Sequence, residues 1–152
     1  MLIINESDFF RGKKVLVAGG AGFVGTNIIL RLLDSGARVR ATLHNKAPQI
    51  NDRRIEFLHG DLRDEKFVHR VAKGIDFVFM CAANTSGAAV IEKAPLVHVT
   101  PNVVMNALTL EAAYEAGVKK FLWISSSIVY PVADHAVCEN EMVFGGLFHK
   151  YF

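Results

Sequence analysis

Lys14-Val-Leu-Val-Ala-Gly-Gly-Ala-Gly-Phe-Val-Gly25 is the stretch that decides the fold. Lys14 to Ala18 is an aliphatic, β-branched run of strand length. From Phe23 to Leu33 the period changes, with Val24, Ile28 and Leu32 at helical spacing and Gly36 ending the segment. Between strand and helix stand glycines at 19, 22 and 25. In that setting the first permits φ > 0, the second lets backbone approach a pyrophosphate, and the third lets helix and strand pack closely. The free N–H groups at the helix start would then face an anion. A glycine triplet alone also describes an ordinary tight turn; its position directly after the first strand makes a dinucleotide the expected ligand.

Outward from this turn, short apolar runs alternate with helical stretches. Arg38 to Leu43 reads as a second strand and Ile55 to Leu58 as a third, with a polar stretch containing Pro48 between them. Lys66 to Ala72 is a short helix. Asp76 to Cys81 reads as a central strand buried on both faces. Thr100 and Pro101 make an N-cap and first residue for a helix whose apolar stripe is Val103, Ala107, Leu110 and Tyr114, stopped by Gly117. Lys120 to Ser125 is the last strand, and an irregular stretch runs from Pro131 to Phe152. The order β-α-β-β-α-β-α-β predicts an α/β fold, a doubly wound parallel sheet of Rossmann type.

The chain has 152 residues, 51% hydrophobic and 21% charged, with a formal net charge of +2. These values describe one globular domain and exclude disorder. No apolar run approaches the roughly 18–20 residues of a membrane helix, and Met1 to Phe10 carries Asn5, Glu6, Ser7 and Asp8, so neither signal peptide nor anchor is expected. Cys81 and Cys138 are too few for a disulfide framework, and a reducing, cytoplasmic setting is expected. His59, His69, His98, His135 and His149 lack ligand spacing, so no metal is expected. Arg53, Arg54, Arg63, Lys119 and Lys120 are interspersed with Asp52, Asp61, Asp64 and Glu65, which argues against a nucleic-acid stripe.

The cofactor contacts expected from position are Gly19, Gly22, Phe23, Val24 and Gly25 in the turn. Thr42, Leu43, His44, Asn45 and Lys46 end the second strand without the acidic residue that would bind a ribose 2′-hydroxyl. Arg40, His44 and Lys46 offer positive charge to a 2′-phosphate instead, which favours NADP(H) over NAD. Asp61 of Gly60-Asp61-Leu62 could accept from the adenine amino group or cap the helix beginning near Asp64. Cys81-Ala82-Ala83 puts small residues at the end of the central strand, where a nicotinamide ribose needs space or where a core is simply tight.

Together these features resemble the extended short-chain dehydrogenase/reductases, the NAD(P)-dependent nucleotide-sugar epimerases and dehydratases. The resemblance rests on Gly19, Gly22 and Gly25 with Phe23-Val24, on Gly60-Asp61-Leu62, Cys81-Ala82-Ala83 and Asn102, and on Ser125-Ser126-Ser127-Ile128-Val129-Tyr130-Pro131. Met105 and the proline after Val129-Tyr130 look more like the NADPH-dependent GDP-fucose synthases; UDP-hexose 4-epimerases and 4,6-dehydratases are near relatives. The resemblance implies Asp61 and Leu62 at the adenine, and a Ser, a Tyr and a Lys that couple hydride transfer at a sugar carbon to proton transfer on its oxygen. Counting back four from Tyr130 gives Ser126 as the catalytic serine, with Ser125 and Ser127 as rivals. Thr85 and Ser86, with Ser127, fall where substrate contacts occur in such enzymes. Asn102 matches the asparagine that stabilises the active-site helix, though Pro101 before it departs from the pattern.

The Tyr-x-x-x-Lys pair belongs a little over 20 residues beyond Val129-Tyr130, where Tyr151 stands. Tyr151 is accordingly the candidate acid/base, or else an apolar contact alongside Phe148 and Phe152. The expected partner lysine would fall past Phe152. These residues are therefore expected to be the cofactor-binding part of a longer polypeptide whose C-terminal portion grips the sugar nucleotide, with a homodimer as a family habit. Two other readings stand beside this one: a non-catalytic NADP(H)-sensing module, and a reductase of a non-sugar carbonyl substrate on the same scaffold.

Overall fold

The computed structural model describes residues 9–85, 90, 93–94, 96–125, 130 and 133–141. Five parallel strands form one sheet in the order β3-β2-β1-β4-β5: β1 (Lys14–Ala18), β2 (Arg38–Leu43), β3 (Ile55–His59), β4 (Phe77–Met80) and β5 (Lys120–Trp123). Helix α1 (Phe23–Asp34) links β1 to β2, α2 (Glu65–Ala72) links β3 to β4, and α3 (Leu96–Glu115) precedes β5; a 3-10 turn spans Glu139–Glu141. The doubly wound Rossmann-type sheet expected from the sequence is the fold observed.

Alternation along the strands divides the core in two. Leu16, Ala18, Val78 and Met80 face α2 and α3, where they meet Phe67, Val68, Val71, Met105, Ala112 and Ala113. Val15, Val17, Val39, Ala41 and Phe77 face the other way, against Ile29, Leu32 and Leu33 of α1. β1 is in the middle, and Val15 to Ala18 are wholly buried, as a strand covered by helices on both faces requires.

Helix α1 follows its expected spacing, while β4 departs from its expected bounds. α1 is the helix that the spacing of Val24, Ile28 and Leu32 predicts; it buries Gly25, Ile29, Leu32 and Leu33, with Ile28 partly buried against the same core. A Cβ on Gly25 would collide with the Gly19 carbonyl, so Gly25 must face the turn, and this rotates Val24 outward. β4 is shorter than the expected Asp76 to Cys81; the Asp76 carboxylate accepts the Lys14 N–H at 2.9 Å and Lys119 Nζ at 2.7 Å, pinning the starts of β1 and β5. It lies between β1 and β5, with β1 and not β4 at the centre of the sheet.

α3 departs furthest. It begins at Leu96, not after a Thr100 cap, and Pro101 lies inside it. Its buried positions are Met105, Thr109, Ala112 and Ala113, whereas the expected stripe is outward, with Tyr114 85% exposed. Small Ala112 and Ala113 lie in the cluster shared with α2, and the buried Thr109 hydroxyl is satisfied by donating to the Met105 carbonyl at 2.6 Å.

Candidate functional site

The chain steps from β1 to β2 and β3 on one side, then returns to β4 and β5 on the other, so the sheet's switch point lies between β1 and β4. The glycine turn and the 81–85 loop meet there, at the carboxyl ends of the strands. Gly19 has φ +84°, a left-handed backbone that favours glycine, and a Cβ on it would stand 2.7 Å from Ala82 Cα and N. Gly22 is the N-cap of α1; no side chain caps the helix and no acidic residue lies in its first turn. The helix dipole is thus left open to an external anion. Phe23 and Val24 lie at the helix start, but their side chains line an apolar groove with Phe10, Ile28 and Phe79, and Phe23 is 86% exposed. Only their backbone belongs to the turn.

Two residues not anticipated hold this site. Thr42 anchors the glycine turn from β2: its Oγ1 accepts the Gly19 N–H at 3.0 Å and its carbonyl accepts the Gly20 N–H at 2.9 Å. The available sequence signal was a threonine between the apolar Ala41 and Leu43 at the end of the strand. Asn84 holds the opposite loop, its N–H donating to Asn102 Oδ1 at 2.8 Å and its carbonyl accepting from Asn102 Nδ2 at 2.9 Å. Thr85 follows it and is exposed; Ala83 is exposed, and Cys81 and Ala82 are half-buried. Burial pushes the Cys81 thiol up to about 11.

At the end of β3 the Asp61 carboxylate accepts the Arg63 N–H at 2.9 Å and Arg63 Nε at 3.0 Å, with His44 Nε2 3.7 Å away. The Arg63 side-chain hydrogen bond holds its pKa down at about 2. Helix capping falls to Asp64, which accepts the Lys66 N–H at 2.9 Å, so Asp61 is not the cap. Arg63 Nε and Nη2 also donate to Oδ2, so both carboxylate oxygens are engaged by Arg63. The Leu62 side chain is 7% exposed and packed in the core, so only its backbone faces a ligand.

Arg40 is corrected. Its guanidinium bonds Glu56 through Nε at 2.8 Å and the Val71 and Lys73 carbonyls through Nη1 at 3.0 Å each. It is a strut between β2, β3 and the C-terminal end of α2, away from the strand ends where a 2′-phosphate would lie. His44 remains exposed at that edge. Ser86, Ser126, Ser127 and Tyr151 lie outside the described residues.

A glycine turn with positive φ, an uncapped helix start and an ionised carboxylate after β3, all at the carboxyl edge of a doubly wound sheet, define a dinucleotide-binding domain. The pattern of the NAD dependent epimerase/dehydratase family matches residues 15–146, and the chain belongs to that family. It is 33% identical over 131 residues to dTDP-D-glucose 4,6-dehydratase of Mus musculus, covering 78% of this chain and 36% of that protein. It is 36% identical over 121 residues to a 3 beta-hydroxysteroid dehydrogenase/Delta 5-->4-isomerase of Mycobacterium tuberculosis, covering 76% of this chain and 32% of that protein. Among solved structures, an epimerase of Methanothermobacter thermautotrophicus superposes with a TM-score of 0.80 at 29% identity, over 94% of this chain and 44% of its own. The dTDP-glucose 4,6-dehydratase DesIV of Streptomyces venezuelae, solved with NAD and TYD bound, gives 0.69 at 30% identity over 81% and 42%. The chain thus spans about a third of the length of these two curated relatives.

Proposed function

We propose that this chain is the NAD(P)-binding part of a nucleotide-sugar epimerase, reductase or dehydratase. The observation that carries the reading is the Gly19 turn, held by Thr42 and abutting Ala82 at the switch point, in a chain of this family. Gly19, Gly22 and Gly25 leave room for a pyrophosphate over the start of α1, and Asp61, with the backbone of Leu62, receives the adenine. A bound nicotinamide supplies hydride exchange at the sugar carbon. Ser126 orients the reacting hydroxyl, Tyr151 exchanges its proton, and Thr85, Ser86 and Ser127 contact the sugar. With no acid at the end of β2 and His44 and Lys46 exposed there, the preferred cofactor is NADP(H) rather than NAD. The finer assignment, suggested by Met105 and by Pro131 after Val129-Tyr130, is a GDP-fucose synthase-like epimerase/reductase; a homodimer is proposed from family habit alone.

A second reading, a hydroxysteroid or other non-sugar carbonyl oxidoreductase, is favoured by one observation: the 36% identity to a 3 beta-hydroxysteroid dehydrogenase/isomerase is as high as that to a sugar dehydratase. The test is to titrate the protein with NADPH and NADH, then assay GDP-, UDP- and dTDP-hexoses beside a 3β-hydroxysteroid. Turnover of a sugar nucleotide with tighter NADPH binding supports the first reading, and steroid oxidation alone replaces it by the second. Assayed in the complete enzyme of which this chain is proposed to be the NAD(P)-binding part, binding without turnover of any of them removes the sugar-enzyme assignment.

A further inference from the structure

Pro101 has no amide hydrogen, so the carbonyl four residues earlier in α3, that of Val97, has no helical donor. Asn84 Nδ2, on the loop after β4, donates to it at 3.2 Å. The same loop residue is gripped through its backbone by Asn102, and His98 Nδ1 stands 3.2 Å from its carbonyl oxygen. Val97, His98 and Asn102 thus converge from one stretch of α3 on a single loop residue. Two residues before Asn84 is Ala82, whose backbone abuts Gly19. Two residues of extended chain reach at most about 7 Å, so a shift at Asn84 is passed on to the wall beside the glycine turn.

We infer that Asn84 is a positioning residue: by occupying the carbonyl that Pro101 leaves open, it sets the spacing between the 81–85 loop and the Gly19 turn, and with it the fit of a dinucleotide at the switch point. The inference rests on the cofactor-binding reading above and adds the residue that sets the crevice's far wall. Asn84→Ala removes the donor; Asn84→Asp keeps the shape and turns an acceptor toward another acceptor. Pro101→Ala acts from the other side, since a regular helix returns an N–H to the Val97 carbonyl and draws it along the helix axis, away from the loop.

The experiment titrates each folded variant with NADPH and NADH and measures the thermal midpoint without cofactor. Both Asn84 variants are expected to bind about five- to tenfold more weakly, the effect of one lost hydrogen bond. Pro101→Ala is expected to bind about threefold more weakly while its thermal midpoint stays level or rises. A purely structural Asn84 would leave affinity within twofold of wild type whatever the midpoint does, and that result overturns the inference. Should the Asn84 variants fail to fold, wild-type affinity in Pro101→Ala overturns it as well. A wild type that binds neither nucleotide overturns the cofactor-binding reading and this inference with it.

Discussion

Thr42, 2% exposed near the end of β2, accepts the Gly19 N–H on its hydroxyl and the Gly20 N–H on its carbonyl, so one residue of a neighbouring strand holds two successive amides of the glycine turn. Thr42→Val keeps the shape and deletes one acceptor, leaving a part-buried N–H unpaired. Denaturant unfolding should show a loss of about 1–3 kcal/mol, with Thr42→Ser close to wild type. Equal stability of Thr42→Val and wild type would show that the Gly19 amide finds another partner.

The three glycines of the turn are not equivalent. Alanine at 25 would overlap the Gly19 carbonyl, and alanine at 19 would need a left-handed backbone as well as the space held by Ala82. Alanine at 22 meets only the Gly19 carbonyl oxygen, at an ordinary 3.4 Å, with φ −78°. Gly25→Ala and Gly19→Ala are therefore expected to unfold at lower temperature than wild type. Gly22→Ala should match wild type in stability and lose only cofactor affinity. Equal destabilisation by all three would contradict this ranking.

Arg40 is held within the fold, whereas His44 is the residue proposed to set cofactor preference. Replacing Arg40 by Met removes three hydrogen bonds to Glu56, Val71 and Lys73, and should cost stability by about 1.5–3 kcal/mol without changing the NADPH:NADH preference. His44→Glu restores an acid beside the strand end and should move preference toward NADH. Dissociation constants for both nucleotides in both variants check this; a preference change in Arg40→Met would return Arg40 to the cofactor site.

Asp61 titrates at about 2 in the folded chain against roughly 3.9 in an unfolded one, chiefly because Arg63 hydrogen-bonds its charged form. A lowered folded-state pKa makes the contribution fully present above about pH 4 and lost as pH falls toward 2. Arg63→Ala should therefore reduce stability at neutral pH and converge with wild type near pH 2. Parallel curves for the two proteins from pH 6 to 2 would mean that Arg63 does not hold the Asp61 charge.

Cys81, raised to about 11 by burial, carries roughly 100-fold less thiolate at pH 8 than an ordinary cysteine. Alkylation followed by peptide mass analysis should label exposed Cys138 first and Cys81 slowly, faster as pH rises toward 11. Comparable rates at pH 8 would show that the end of β4 opens readily.

Legibility in the sequence followed how many constraints each segment carried. β1 and β2 were readable to the residue because each run begins just after a glycine, Gly12 or Gly36, and the first also ends on Gly19. α3 was not, because apolar residues occur on more than one of its arcs and the buried one contains Thr109. Its entry was misread because Pro101 suits a helix start, and only the fold brings Asn84 to the carbonyl left unpaired. Arg40 looked available as a charge near a strand end; the register that sets it opposite Glu56 is invisible without the sheet. Asp61 stood as a cap for the helix beginning near Asp64, and only the backbone path shows Asp64 itself in that role.

β5 ends at Trp123, the chain's one tryptophan, 46% exposed beside Phe121 at the carboxyl end of the outermost strand. The protein thus carries a built-in optical reporter on the edge where its dinucleotide is expected. Indole emission overlaps the absorption of a reduced nicotinamide, so bound NADPH or NADH should quench the tryptophan by energy transfer while the oxidised forms leave it brighter. Occupancy and redox state could then be followed in unlabelled protein from one fluorescence trace.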